Sequence, residues 1–155
     1  MTIKAEERLA DFGIEVPEVQ TPLGAYVPAV ISGQLIFISG QLPMVKGELT
    51  RKGKVGSEVS LEQGMEAARR ASVNAIAVLK NELGDLDRVE RIVKITGYVA
   101  SAPGFNQQAN VMNGASELFF QIFGEAGRHA RVAVGVSELP LDAPVEIEVI
   151  AKISD

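Results

Sequence analysis

Toward the C-terminal end, apolar residues recur at every second position. Val132, Val134 and Val136 form one set, and Val145, Ile147 and Val149 form another. Period two marks half-buried strands. The residues between the sets include Pro140, Asp142 and Pro144, which are turn formers. The pattern predicts two strands, 131–137 and 145–153, paired as an antiparallel hairpin. Burial of both sets fixes the register, for example with Val134 opposite Ile147, because a one-residue slip exposes one of them. In that register Arg131, Ala133 and Gly135 share the other face with Glu146 and Glu148. A cation on a rigid strand beside small residues is a seat for a small anionic ligand. The ordinary alternative is a solvated face or a cross-strand ion pair, which contributes about 0.2–1 kcal/mol.

The same periodicities place the other elements. Leu61, Met65, Ala68, Ser72, Ala75, Ile76, Leu79 and Leu83 form a helical stripe. Ser60 followed by Gln63 is a capping-box start for it, and Gly84 is its stop. A second helix is expected over 106–123, with Met112, Phe119 and Phe123 inward and Gly124 as terminator. Residues 91–99 read as a strand. Residues 24–31 and 34–39 read as two strands around a Ser32-Gly33 turn, which sets Tyr26 opposite Ser39. Pro28 marks the first of these as an edge strand or a bulge. A short strand is expected near Glu48–Thr50. Ile3, Leu9 and Phe12 fit a short amphipathic helix over Ala5–Asp11, ended by Gly13. The order is β-β-(β)-α-β-α-β-β. It predicts an α+β, two-layer sandwich in which two helices cover one face of a mixed six-stranded sheet. The open face is then either wet or an oligomer interface.

Composition narrows the chemistry. The 155 residues fit one domain with a core of its own, and 46% apolar content argues for a folded globule. No apolar run reaches the roughly 18–20 residues that span a bilayer. The first eight residues lack the apolar region of a signal peptide. With no cysteine, disulfides, thiolate metal sites and cysteine nucleophiles are excluded, and a cytoplasmic location fits. The net charge of -5 argues against a nucleic-acid-binding surface. The basic stretch from Lys46 to Lys54 is broken by Glu48 and two glycines and reads as a loop or hairpin. No Gly-rich stretch fits a phosphate loop. His129 is the sole histidine, so one subunit can build no histidine dyad or cluster. It precedes the Arg131 strand and reads as a loop residue. The acidic residues lack metal-ligand spacing.

Arg131, then Leu139-Pro140, then Val145-Glu-Ile-Glu-Val-Ile-Ala151 resembles the C-terminal signature of the RidA/YjgF family of enamine/imine deaminases. Ser39-Gly40-Gln41-Leu42-Pro43 resembles another segment of the same family. The resemblance covers residues 21–153 of a single domain and leaves 1–20 as an N-terminal extension. It implies a chorismate-mutase-like fold, a homotrimer whose sheets enclose a central barrel, and ligand clefts between subunits. It implies that Arg131 clamps a ligand carboxylate and that Glu146 positions the attacking water. Tyr26, Ser39, Gly40 and Asn113 are implied as substrate-binding residues. The implied reaction hydrolyses 2-imino or enamine acids to 2-keto acids and ammonia, with no metal and no cofactor. Two alternatives stand beside it: a non-catalytic module that binds a small carboxylate metabolite, and an endoribonuclease. Ala133 stands where many deaminase members carry cysteine, and the segment 100–104 lacks their Asp-containing turn. Both departures point to a divergent branch.

Overall fold

Ser60 accepts a hydrogen bond from the Gln63 backbone N–H at 3.1 Å, and Gln63 accepts one from the Ser60 N–H at 3.0 Å. This reciprocal cap starts helix α2, Leu61–Leu83, and Gly84 ends it with φ +76°. In the computed structural model, which describes residues 4–155, α2 is the longest element. Ala68, Ser72, Ala75, Ile76, Leu79 and Leu83 of its expected stripe are buried. Helix α3, Gln108–Phe123, packs beside it. Gly114 permits the approach, because a methyl group there would overlap the Met65 carbonyl. Helix α1, Ala5–Asp11, buries Ala5 and Leu9 in the same core. Ile3, expected to join that helix face, lies outside the described residues.

The main sheet has five strands: β1 (Ala29–Ser32), β2 (Leu35–Gln41), β5 (Val89–Ala100), β6 (Ala130–Val136) and β7 (Val145–Ile153). Their order is β1-β2-β7-β5-β6. The expected sixth strand is not part of it. Residues Glu48–Leu49 (β4) pair with Met44–Val45 (β3) in a separate ribbon, turned at Lys46 and Gly47, both with positive φ. The α+β class holds, with the helices on one face. Among the described residues, no helix is long and apolar enough to cross a membrane.

The expected C-terminal hairpin does not form. Strand β5 lies between β6 and β7, parallel to the first and antiparallel to the second. Val134 pairs with Tyr98, and Ile147 pairs with Gly97. Two alternating segments joined by a turn need not be neighbours when a third strand satisfies both ladders. The faces of β6 are also reversed. Val132 and Val134 are 43% and 39% exposed on the open face, while Arg131 and Ala133 point to the helix side. Strand β6 is an edge covered by α3. The Met112 side chain already fills the space above Gly97, beside Ala133, so a small residue faces inward there.

The first hairpin is shifted by one residue from expectation. Ser32 pairs with Leu35, so the turn is Gly33-Gln34, with Gly33 supplying φ +61°. Ser39 therefore stands opposite Pro28, whose carbonyl accepts from the Ser39 N–H, and Tyr26 lies in the preceding loop. Pro28 immediately precedes edge strand β1, in keeping with its missing N–H.

Candidate functional site

A β-bulge organises the first half of the site. Ile38 pairs with Val149 but Gln41 pairs with Ile147, so β2 carries one extra residue at Ser39-Gly40. Bulges re-aim side chains and concentrate near active sites. Here the bulge leaves room for Glu146 on β7, because a methyl at Gly40 would overlap its carboxylate. The Ser39 hydroxyl donates to the Val27 carbonyl at 2.7 Å, so its oxygen remains as an acceptor. Tyr26, Ser39, Gly40, Leu42, Met44 and Glu146 line a cavity of about 370 Å³. Asn74 of α2 reaches its floor and donates to the Leu42 and Met44 carbonyls at 2.9 and 3.0 Å, which fixes the wall. Glu146 makes no side-chain hydrogen bond or ion pair among the described residues. Burial pushes its carboxyl above the usual carboxylate range, and the negative charge of Glu148 adds to the shift. Glu148 itself accepts from the Tyr98 hydroxyl at 2.7 Å.

The second half lies on the helix side, at the β6 edge. Arg131 Nη1 donates to Asn113 Oδ1 at 2.9 Å and to Ser116 Oγ at 3.1 Å. Asn113 and Ser116 are three residues apart on α3 and so share a face. Ser116, Glu117, Phe120, His129 and Arg131 line a hollow of about 380 Å³.

Tyr26, Ser39, Gly40 and Glu146 thus meet in one place, and Asn113 and Arg131 in another. The expectation that Arg131 shares a sheet face with Glu146 is wrong within one subunit. Arg131 pairs with Ile95 on the helix side, and Glu146 pairs with Tyr98 on the open side. The error follows from the hairpin assumption, since the insertion of β5 frees the two strands from direct alignment. Among the described residues, no three histidine, aspartate or glutamate side chains converge as a metal site.

The family model described as "YjgF/chorismate_mutase-like, putative endoribonuclease" matches residues 6–153. The chain belongs to this YjgF-like family. Protein TCP17 of Trypanosoma cruzi is 40% identical over 162 residues, covering 100% of both chains. The protein Atu1372 of Agrobacterium tumefaciens shares 44% identity with a TM-score of 0.91, over 97% of this chain and 92% of that one. A Shewanella oneidensis protein, described as "a putative endoribonuclease", shares 35% identity with a TM-score of 0.95, over 97% of this chain and 100% of that one.

Two residues of this YjgF-like chain were not legible as parts of a site. Ser116 carries no sequence signal beyond its spacing of three from Asn113. His129 reads as a loop residue, and it does immediately precede β6. Its ring, however, contacts Ser116 at 2.8 Å through Nε2 and the Gly127 carbonyl at 2.7 Å through Nδ1. Burial lowers its proton affinity, and the Arg131 charge adds to that, against the opposing Gly127 hydrogen bond. The folded state therefore resists protonation while the unfolded chain takes up a proton near the ordinary value of 6.5. In the window just below that value the unfolded state binds more protons, so stability falls as pH falls. Urea midpoints measured between about pH 5 and pH 7 are expected to show this slope, and His129→Gln is expected to flatten it. An unchanged slope in the variant would assign the acid sensitivity to other groups.

Proposed function

We propose that this chain hydrolyses reactive 2-imino acids, or their enamine tautomers, to 2-keto acids and ammonia in clefts between the subunits of a homotrimer. The observation that carries the reading is the division of the six candidate residues between the two faces of one sheet. Neither half is a complete site. A carboxylate clamp without a base cannot direct water, and a base without a clamp cannot hold the substrate. A neighbouring subunit that lays its β6 edge across the Glu146 cavity supplies what each half lacks. The open sheet face supports that arrangement, because Val30, Phe37, Val132 and Val134 are exposed there.

In this reading Arg131 grips the substrate carboxylate with paired planar donors. Glu146, unpaired and with raised proton affinity, accepts a proton from a water as the water oxygen bonds to the C=N carbon. The proton passes on to the nitrogen of the resulting carbinolamine. The C–N bond then breaks as the hydroxyl proton moves to the nitrogen, ammonia leaves, and the hydroxyl oxygen becomes the ketone. Imine hydrolysis is already fast in water, so positioning and one base suffice.

Two measurements test this. Light scattering at micromolar concentration is expected to give three times the 16.5 kDa chain mass, and a monomer would remove the shared cleft. Ammonia release from imino acids generated in situ is expected to exceed the uncatalysed rate for wild type and to fall to it for Arg131→Ala. Carboxylate binding without rate enhancement would leave a metabolite-binding module. RNA degradation without ammonia release would instead favour the nuclease description that the Shewanella relative carries.

A further inference from the structure

The hydrogens around Arg131 have a fixed order. His129 Nδ1 lies 2.7 Å from the Gly127 carbonyl, which only accepts, so the ring proton is on Nδ1. Nε2 is then a bare acceptor, and the Ser116 hydroxyl, 2.8 Å away, donates to it. The Ser116 oxygen is left to accept, which it does from Arg131 Nη1 at 3.1 Å. The other Nη1 hydrogen goes to Asn113 Oδ1 at 2.9 Å. Both Nη1 hydrogens are therefore used. Nε–H and both Nη2 hydrogens have no hydrogen-bond partner among the described residues. That leaves the guanidinium side edge, the Nε–H and Nη2–H pair, available to a carboxylate. The edge of the Phe119 or His129 ring meets the other at 77° and 6.1 Å, which holds the imidazole plane.

We propose that Ser116 and His129 are positioning residues for Arg131. The Gly127–His129–Ser116 relay anchors the Nη1 end so that the Nε/Nη2 edge is presented to a carboxylate. The inference rests on the proposed carboxylate-binding role of Arg131. It gives this chain a device built from a backbone carbonyl, an imidazole and a hydroxyl in series. Removing Ser116 leaves one Nη1 hydrogen unanswered, and removing His129 lets the Ser116 hydroxyl turn away, so either change loosens the guanidinium.

The test uses 2-oxobutanoate as probe, measured by calorimetry on the full-length protein. Ser116→Ala and His129→Phe are each expected to weaken binding about threefold to tenfold, the loss of one hydrogen bond. Ser116→Thr, which keeps the hydroxyl, is expected to restore it. In turnover, KM is expected to rise with kcat little changed, because the relay acts on binding. The decisive readout is a double-mutant cycle. In an Arg131→Ala background, Ser116→Ala is expected to add no further loss, whereas a general packing defect would add its full effect. Full affinity in Ser116→Ala and His129→Phe, with loss in Arg131→Ala, would overturn the relay and leave the clamp standing. Full affinity in Arg131→Ala would overturn both. Should His129→Phe fail to fold, the Ser116→Ala and Ser116→Thr pair decides alone.

Discussion

Glu146→Gln is expected to keep 2-keto acid binding and to lose roughly 10²–10⁴-fold in imine hydrolysis, the range typical of removing a general base. Glutamine is nearly isosteric, so the cavity beside the Ser39-Gly40 bulge keeps its shape. The substitution removes charge and basicity only. The raised proton affinity of the native carboxyl, caused by burial and the Glu148 charge, makes it a better base than an exposed glutamate. Hydrolysis by wild type is therefore expected to decline as pH falls, with an inflection above the ordinary carboxyl value of 4.5. The comparison requires subtraction of the uncatalysed rate at matched pH. Retained turnover in Glu146→Gln would withdraw the catalytic role.

Arg131→Lys is expected to weaken carboxylate binding by about one to two powers of ten, on the order of 1.5–3 kcal/mol. Lysine keeps the charge but cannot bond Asn113 and Ser116 with one nitrogen while offering two coplanar donors to a ligand. Its ammonium has three donors on a flexible stem, and the anchoring groups compete for them. Folding is expected to change little, because the residue lies on an edge strand and is only half-buried. Calorimetry that gave equal affinities for both side chains would reduce Arg131 to a helix-docking residue.

Much of the fold is written in local signals. Ser60 with Gln63 and then Gly84 delimit α2 because capping is decided within a few residues. Gly124 ends α3 for the same reason. The alternation of 145–153 gives β7 its exact span, because its strand is central and one face lies wholly in the core. Strand order was not legible. Alternation in 131–137 says that a strand exists, not which strand lies beside it or which face α3 covers. The exposed Val132 and Val134 show the limit, since an apolar period does not say which face of the strand is covered. The one-residue shift of the first turn has a similar origin, because Ser32-Gly33 and Gly33-Gln34 both place a glycine in a two-residue loop. Of the candidate site, the residues were named through resemblance, and their separation between two places of one subunit was not legible. The relay through Ser116 was hidden because a serine within a helix has many ordinary uses.

The placement of Arg131 and Glu146 on opposite faces of one sheet has a genetic consequence if neighbours share clefts. Two inactive alleles, one lacking the guanidinium and one lacking the carboxylate, would each leave one half-site intact. Co-expressed, their products would assort into mixed rings. A cleft that draws its clamp from one product and its base from the other is whole again. Random assortment at equal expression restores about one cleft in four. Activity would thus return in the mixture although neither parent has any, and the sheet that keeps the two groups apart within a chain would be what lets them complement between chains.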